Sequence, residues 1–180
     1  MPSSYWGFIS DILERYYKLY PQTVLNIGAG FGKWEFLYRE YGDVMRGRLE
    51  KEEWQIKIDS IEIFEPYIKD YHKYLCDKIY LGDAFNIIDK LDKYDYISAF
   101  DIIEHFEEEQ ALKFIEKLKL KTKYLIISVP LGNCWKQGKV FNNEAEEHKS
   151  IWLKDDFKDC SEILIKNNPA NKPLGLFIYK

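Results

Sequence analysis

Cysteine is scarce, and no pairing is announced. Cys76, Cys134 and Cys160 lie far apart without a Cys-x-x-Cys step, so neither a zinc knuckle nor a redox pair is expected and the three read as ordinary thiols. Histidine is equally sparse. His72, His105 and His148 lack the His-Glu-x-x-His spacing of a common zinc hydrolase, and no metal site is expected. No stretch has the length or apolar purity of a membrane span, and the amino terminus lacks the basic-then-apolar order of a secretory signal. Cytoplasmic residence without membrane attachment is the expectation. An excess of positive charge is also missing. A formal charge of −4 gives no broad footprint for nucleic acid, and the local cluster Arg46, Arg48 and Lys51 reads either as a basic groove or as surface charge. Internal repeats, low-complexity segments and domain linkers are absent, so residues 1–180 are read as one domain.

What is present is a dense apolar and aromatic complement. Hydrophobic residues make up 46% of the chain, with 5 Trp, 14 Tyr and 11 Phe, which excludes a disordered or fibrous polypeptide. The informative stretch is Val24-Leu25-Asn26-Ile27-Gly28-Ala29-Gly30-Phe31-Gly32, a short apolar strand opening into three alternating glycines. Glycines at such a turn admit a ligand close to the backbone. Trp34, Leu37, Tyr38 and Tyr41 then give a helical apolar face, which directs the free amides of a first helical turn toward the loop. The dinucleotide fingerprint needs its third glycine where Lys33 stands, and no Gly-Lys-Ser or Gly-Lys-Thr ending completes a phosphate loop.

The remaining elements alternate. Phe8, Ile9, Ile12, Leu13 and Tyr16 recur with helical spacing ahead of Pro21, predicting an amino-terminal helix that covers part of the sheet. Strands are predicted at 58–63, 79–81, 94–100 and 124–129. Between them fall helices over 67–74, around Phe85, Ile87, Ile88 and Leu91, and along Ile103, Phe106, Ala111, Phe114, Ile115 and Leu118. Such alternation implies an α/β fold with a mostly parallel sheet and functional loops at the strands' carboxyl ends. Residues 161–166 and 174–179 read as a terminal hairpin. The polar stretch 132–150 reads as an active-site excursion, followed by a short helix at 152–157.

With these elements in order, the chain resembles the class I S-adenosylmethionine-dependent methyltransferases. The resemblance is carried by residues 24–32, 60–67, 82–84, 94–106 and 128–132. It implies a Rossmann-like, mostly parallel seven-stranded sheet with an antiparallel final strand, and S-adenosyl-L-methionine as cofactor. It places Gly28, Gly30 and Gly32 beside the methionine portion, Glu62 on the ribose hydroxyls, and Asp83 and Ala84 at the adenine edge. Glu65 is the register alternative to Glu62. Asn26 stands where the family often has an acid, and its amide is the available hydrogen-bonding group. Asp101 is assigned to the pocket, and His105 to the orientation of the acceptor or of water.

The resemblance implies transfer of the sulfonium-bound methyl group to an acceptor nucleophile, leaving S-adenosylhomocysteine. Asp101, His105 and His148 are the candidates for a general base where the nucleophile starts protonated. The acceptor is unidentified, a small molecule being favoured over a modified macromolecular group, and monomer and homodimer both stay open. In the late loop, Trp135 or Trp152 could stack on a flat acceptor while Gln137, Asn143 or His148 orients it, or these residues only support the loop. The acidic run Glu144, Glu146 and Glu147 reads as a solvated face or as a lure for a basic acceptor. A noncatalytic S-adenosylmethionine-binding regulatory module on the same fold is the alternative.

Overall fold

The structure, a computed structural model, describes residues 4–180. Seven strands form one sheet in the order β3-β2-β1-β4-β5-β7-β6. They are β1 (Thr23–Ile27), β2 (Lys57–Glu62), β3 (Lys78–Leu81), β4 (Tyr96–Phe100), β5 (Leu125–Pro130), β6 (Glu162–Asn167) and β7 (Pro173–Tyr179). Strands β1 to β5 pair in parallel, and β7 runs antiparallel to both β5 and β6, as expected for a mostly parallel sheet with a reversed last strand. Every residue of β4 and β5 is buried, because both faces of these central strands are covered, and their composition is accordingly mostly apolar. The outer strands β3 and β6 are only partly buried, consistent with their edge positions.

One face is covered by α1 (Ile9–Leu19) and α2 (Lys33–Gly42), the other by α4 (Ala84–Ile87) and α5 (Glu108–Lys121), with α3 (Asp70–Leu75) leading into β3. Helix α1 turns Ile12, Leu13 and Tyr16 inward and ends at Tyr20, whose φ of 47° leaves the helical region just before Pro21. Tyr16 packs on Tyr38 and Tyr96 with ring centroids 4.6 and 5.6 Å away, and its hydroxyl donates to the Tyr38 carbonyl at 3.1 Å. The phenols thereby bury their rings without stranding their polar ends. On the opposite face, α5 inserts Ala111, Phe114, Ile115 and Leu118 against β4 and β5. Among the described residues, no helix is long and apolar enough to cross a membrane.

Three predicted helices are shorter than their periodicity suggests. The one over 67–74 divides into a 3-10 turn (Glu65–Tyr67) and α3, with Ile68 and Lys69 extended between them. His72 Nδ1 accepts the Lys69 amide at 3.1 Å, so the helix is capped and begun afresh. The stripe starting at Ile103 likewise divides into a turn (Ile103–His105) and α5, because Phe106 is extended. At 152–157 only the turn Lys154–Asp156 forms, since Trp152 and Phe157 are both drawn into the core while the Asp156 carboxylate accepts the Leu153 amide at 2.7 Å.

The terminal hairpin turns through Asn168, whose side-chain oxygen accepts the amides of Ala170 at 3.0 Å and Lys172 at 2.9 Å. The neighbours of β1 are β2 on one side and β4 on the other, so successive connections run in opposite directions from it. The crevice at the carboxyl ends of these strands is where an open α/β sheet receives ligands.

Candidate functional site

The turn leaving β1 is fixed by its neighbours on both sides. The amides of Gly28 and Ala29 donate to the Ile61 carbonyl of β2 at 2.8 and 3.2 Å. Gly28 has a φ of +81°, and a Cβ added there would meet Ile102 Cδ1 at 2.4 Å. The left-handed φ favours glycine here, and any added Cβ would have to push the tip of the Ile102 side chain aside. Two residues on, the Gly30 amide donates to Glu62 Oε2 at 2.9 Å, and Glu62 Oε1 accepts the Phe64 amide at 2.9 Å. Burial pushes the Glu62 carboxyl upward from its ordinary pKa, while the amides of Phe64 and Gly30 oppose the rise by stabilising the anion.

Under this turn lies a polar network out of reach of solvent. Asn26 donates to Glu35 Oε1 at 2.7 Å, Ser60 donates to the same oxygen at 2.6 Å, and Ser98 donates to Asn26 Oδ1 at 2.9 Å. Asn26 also reaches the Gly28 carbonyl at 3.3 Å, so its amide ties the loop to α2. Burial raises the Glu35 carboxyl, partly offset by the hydrogen bonds from Ser60 and Asn26.

A cleft opens above the turn. Of the residues expected at the site, Gly28, Gly30, Glu62, Asp83, Ala84, Asp101 and His105 line it together. Asp83 caps α4, its carboxylate accepting the Phe85 amide at 2.9 Å and the Asn86 side-chain amide at 2.9 Å. Asp101 takes a left-handed φ of 54° and accepts hydrogen bonds from Ser128 Oγ at 2.7 Å and from the Tyr5 amide at 3.0 Å. The segment before α1 thus folds over the end of β4. Ser4 continues that cover, accepting from Trp34 Nε1 at 2.7 Å and from Lys33.

Three expected residues are placed elsewhere. Asn26 lies beneath the loop, Gly32 faces Tyr71 and His72 at the start of α2, and His148 stands behind His105, so none of them lines the cleft. Glu65 is exposed on its 3-10 turn and also stays outside. In the late loop, Asn143 lines the cleft and caps the turn Glu144–Glu146, while Gln137 donates to the Glu146 carbonyl at 2.7 Å. Glu146 is buried at the cleft wall and accepts from the Tyr67 hydroxyl at 3.0 Å, whereas Glu144 pairs with Lys139 on the surface. Trp152 is a core residue, and Trp135 packs against the sheet with its Nε1 donating to Pro173, so both aromatic candidates support the loop.

The basic cluster is likewise spent on structure. Arg46 lies over the rings of Tyr17 and Tyr20, Arg48 pairs with Asp43, and Lys51 donates to the Tyr74 carbonyl at 2.6 Å. Tyr67, Phe106, Gln110 and Lys149 also line the cleft without being singled out by the sequence, and Glu146 joins them from the acidic run. Tyr67 and Phe106 gave a visible signal as aromatics at the exits of β2 and β4, but both were read as helix positions.

Behind the cleft-lining His105, the structure brings Glu104, His105 and His148 together, with one ligand atom from each lying within 4.8 Å of the others. The histidine rings meet edge to face with centroids 5.0 Å apart. Burial lowers the pKa of both imidazoles and raises that of the Glu104 carboxyl well above its ordinary value. The spacing of the histidines in the sequence gives no hint of this convergence.

No protein-family model matches the sequence, and no curated protein matches it. Solved structures do resemble the fold. A S-adenosylmethionine-dependent methyltransferase from Archaeoglobus fulgidus aligns over 96% of this chain and 93% of its own, with 15% identity and a TM-score of 0.61. The N-terminal domain of EvdMO1, crystallised in the presence of SAH and D-fucose, aligns over 95% of this chain and 82% of its own at 11% identity, with a TM-score of 0.61. A protein from Pyrococcus horikoshii OT3 aligns over 96% and 87% at 17% identity, with a TM-score of 0.63. The chain therefore has the Rossmann-like class I methyltransferase fold.

Proposed function

We propose that the protein transfers a methyl group from S-adenosyl-L-methionine to an acceptor nucleophile held in the same cleft. The observation that carries this reading is the Glu62–Gly30 hydrogen bond, which ties the acid ending β2 to the glycine turn at the cleft wall. Each carboxylate oxygen of Glu62 spends one lone pair on a backbone amide and keeps another for a ribose hydroxyl. Gly28 and Gly30 pass along the methionine portion, and Asp83 with Ala84 borders the adenine. Asp101 sets a carboxylate at the end of β4, which complements the positive charge of the sulfonium-bearing cofactor. Glu62 takes precedence over Glu65, which is exposed and outside the cleft.

In the reaction the S–CH3 bond breaks as the bond from acceptor to methyl forms, the sulfonium becomes a neutral thioether, and an acceptor that starts protonated gives its proton to a base of the set Asp101, His105 and His148 or to solvent. Holding nucleophile and methyl in line removes orientational freedom before reaction and can account for much of the rate. Asp101 and His105 are the cleft-lining members of the expected catalytic set, and they orient the acceptor in this reading. His148 acts through His105. Asn26 and Gly32 hold the loop rather than the ligand. We read residues 1–180 as one domain, a reading supported by the placement of all seven strands in one sheet, and we assign it to the cytoplasm with a small-molecule acceptor.

Titration with S-adenosylhomocysteine, followed by incubation with methyl-labelled S-adenosylmethionine and a library of hydroxyl, amine and thiol acceptors, tests the reading. Saturable binding and labelled product are expected. A folded protein that binds neither form of the cofactor would sink the cofactor assignment, and binding without transfer across the library would favour the regulatory module.

A further inference from the structure

We propose that Glu104, His105 and His148 form a binding site for one divalent first-row transition-metal ion behind the cleft wall at His105. One carboxylate and two imidazoles make a donor set suited to such ions, with coordination positions left open. The ligand atoms lie within 4.8 Å of one another. Ligands of a single ion stand about 3–3.5 Å apart for metal–ligand bonds near 2.1 Å, so small side-chain rotations close the set.

Two independent observations point to a cation rather than to an incidental cluster. Glu104 is 1% exposed, and neither of its carboxylate oxygens has a hydrogen-bond partner among the described residues. A buried carboxylate is ordinarily paired, hydrogen-bonded or bound to a metal, because losing its hydration without compensation is costly.

The second observation concerns the histidines. His105 Nδ1 lies 3.0 Å from the Glu147 carbonyl, and His148 Nδ1 lies 2.6 Å from the Trp135 carbonyl. A carbonyl only accepts, so each Nδ1 carries the proton and each Nε2 keeps its lone pair. Backbone carbonyls that fix the imidazole tautomer in this way are the usual outer support of a metal-bound histidine. The loop is also stitched in place: the amides of Lys149 and Ser150 donate to the Glu104 backbone carbonyl at 2.8 and 3.2 Å. That pair of bonds sets His148 beside His105.

His105 belongs to both the cluster and the cleft wall. Resting on the methyl-transfer reading, the ion's open positions would take an oxygen or nitrogen donor of the acceptor. Binding of the metal itself does not depend on that reading.

The test uses the full chain, stripped with a chelator and titrated with Co2+ by calorimetry and visible absorption. One Co2+ per chain is expected, with the absorption of a site having nitrogen and oxygen ligands. Glu104→Gln and His148→Ala should each weaken binding by about 100-fold or more, since even loss of an outer support costs 10–100-fold. Glu104→Gln keeps the side-chain shape, and its circular dichroism and S-adenosylhomocysteine affinity report whether the fold survives. A stoichiometry near zero, or equal Co2+ affinity in wild type and Glu104→Gln, would overturn the site. S-adenosylhomocysteine binding to the stripped protein is read separately, so failure of the metal site and failure of the cofactor assignment are distinguishable.

Discussion

Glu62 accepts the amide of Gly30 at 2.9 Å, so the end of β2 and the turn after β1 form one hydrogen-bonded unit at the cleft wall. The carboxylate has a structural partner on each oxygen and still faces the cleft. Replacing Glu62 with Ala removes the ligand-facing acceptors, and a hydrogen bond to a charged group contributes about 1.5–3 kcal/mol. S-adenosylhomocysteine affinity measured by calorimetry should therefore fall roughly 10- to 100-fold. Glu65→Ala, on the exposed turn, should leave it unchanged. Equal losses in the two variants would refute the assignment.

Gly28→Ala should damage the same site through the backbone. A left-handed conformation costs a non-glycine residue about 1–2 kcal/mol. The new Cβ would also meet Ile102 Cδ1 at 2.4 Å. Denaturant unfolding should show a stability loss of about 1–3 kcal/mol, together with weakened cofactor binding. Adding Ile102→Ala relieves the clash but not the φ strain, so at fixed Ile102→Ala background the glycine substitution should cost less. A double-mutant cycle with no coupling would show that the contact with Ile102 is not the cause.

Much of this architecture was legible because strands buried on both faces are mostly apolar along their length. β1, β4 and β5 announce themselves in that way, and the glycines mark the turn. Helix boundaries were hidden where apolar spacing continues across a break, as at Ile68–Lys69 and Phe106, since periodicity does not report the backbone dihedrals of one residue. The sequence favours Glu62 and leaves Glu65 as its register alternative, and the backbone path is what separates a cleft wall from an exposed turn. Asn26 was legible as a polar strand residue, but its direction depends on the buried Glu35 arriving from α2. The Glu104 cluster was invisible because His148 arrives on a long loop, held by amides that donate to the Glu104 backbone.

Asp43 organises the segment after α2. It is fully buried, accepts from Arg39 Nη1 at 3.0 Å, Arg48 Nε at 2.8 Å and the Gln55 amide at 2.9 Å, and leaves Arg39 buried beside it. Removing Asp43 strips three hydrogen bonds to a buried carboxylate, while Arg39 keeps its pair with Asp77 at 2.7 Å, so Asp43→Ala should cost about 1.5–3 kcal/mol in chemical denaturation. Glu14→Ala breaks the exposed Lys18–Glu14 pair, which solvent screens, and should cost far less. Similar costs at the two sites would contradict the central role of the buried pair.

Glu35 supplies a pH signature with a definite sign. Burial raises its carboxyl above the ordinary value of 4.5, and Oε2 has no hydrogen-bond partner among the described residues. Between its pKa in the unfolded chain and its raised pKa in the fold, the folded state holds the proton more tightly. Stability from this group is therefore fully present at pH below the unfolded value, is lost as pH rises through that window, and stays lost above the folded pKa. Glu35→Gln keeps an oxygen to accept from Asn26 and Ser60 while removing the titration. Unfolding free energies should show the wild type losing ground to Glu35→Gln as pH rises from about 4.5, whatever constant offset the new amide introduces. A stability difference that is flat in pH, or that moves toward the wild type on raising pH, would show that Glu35 does not keep its proton in the fold.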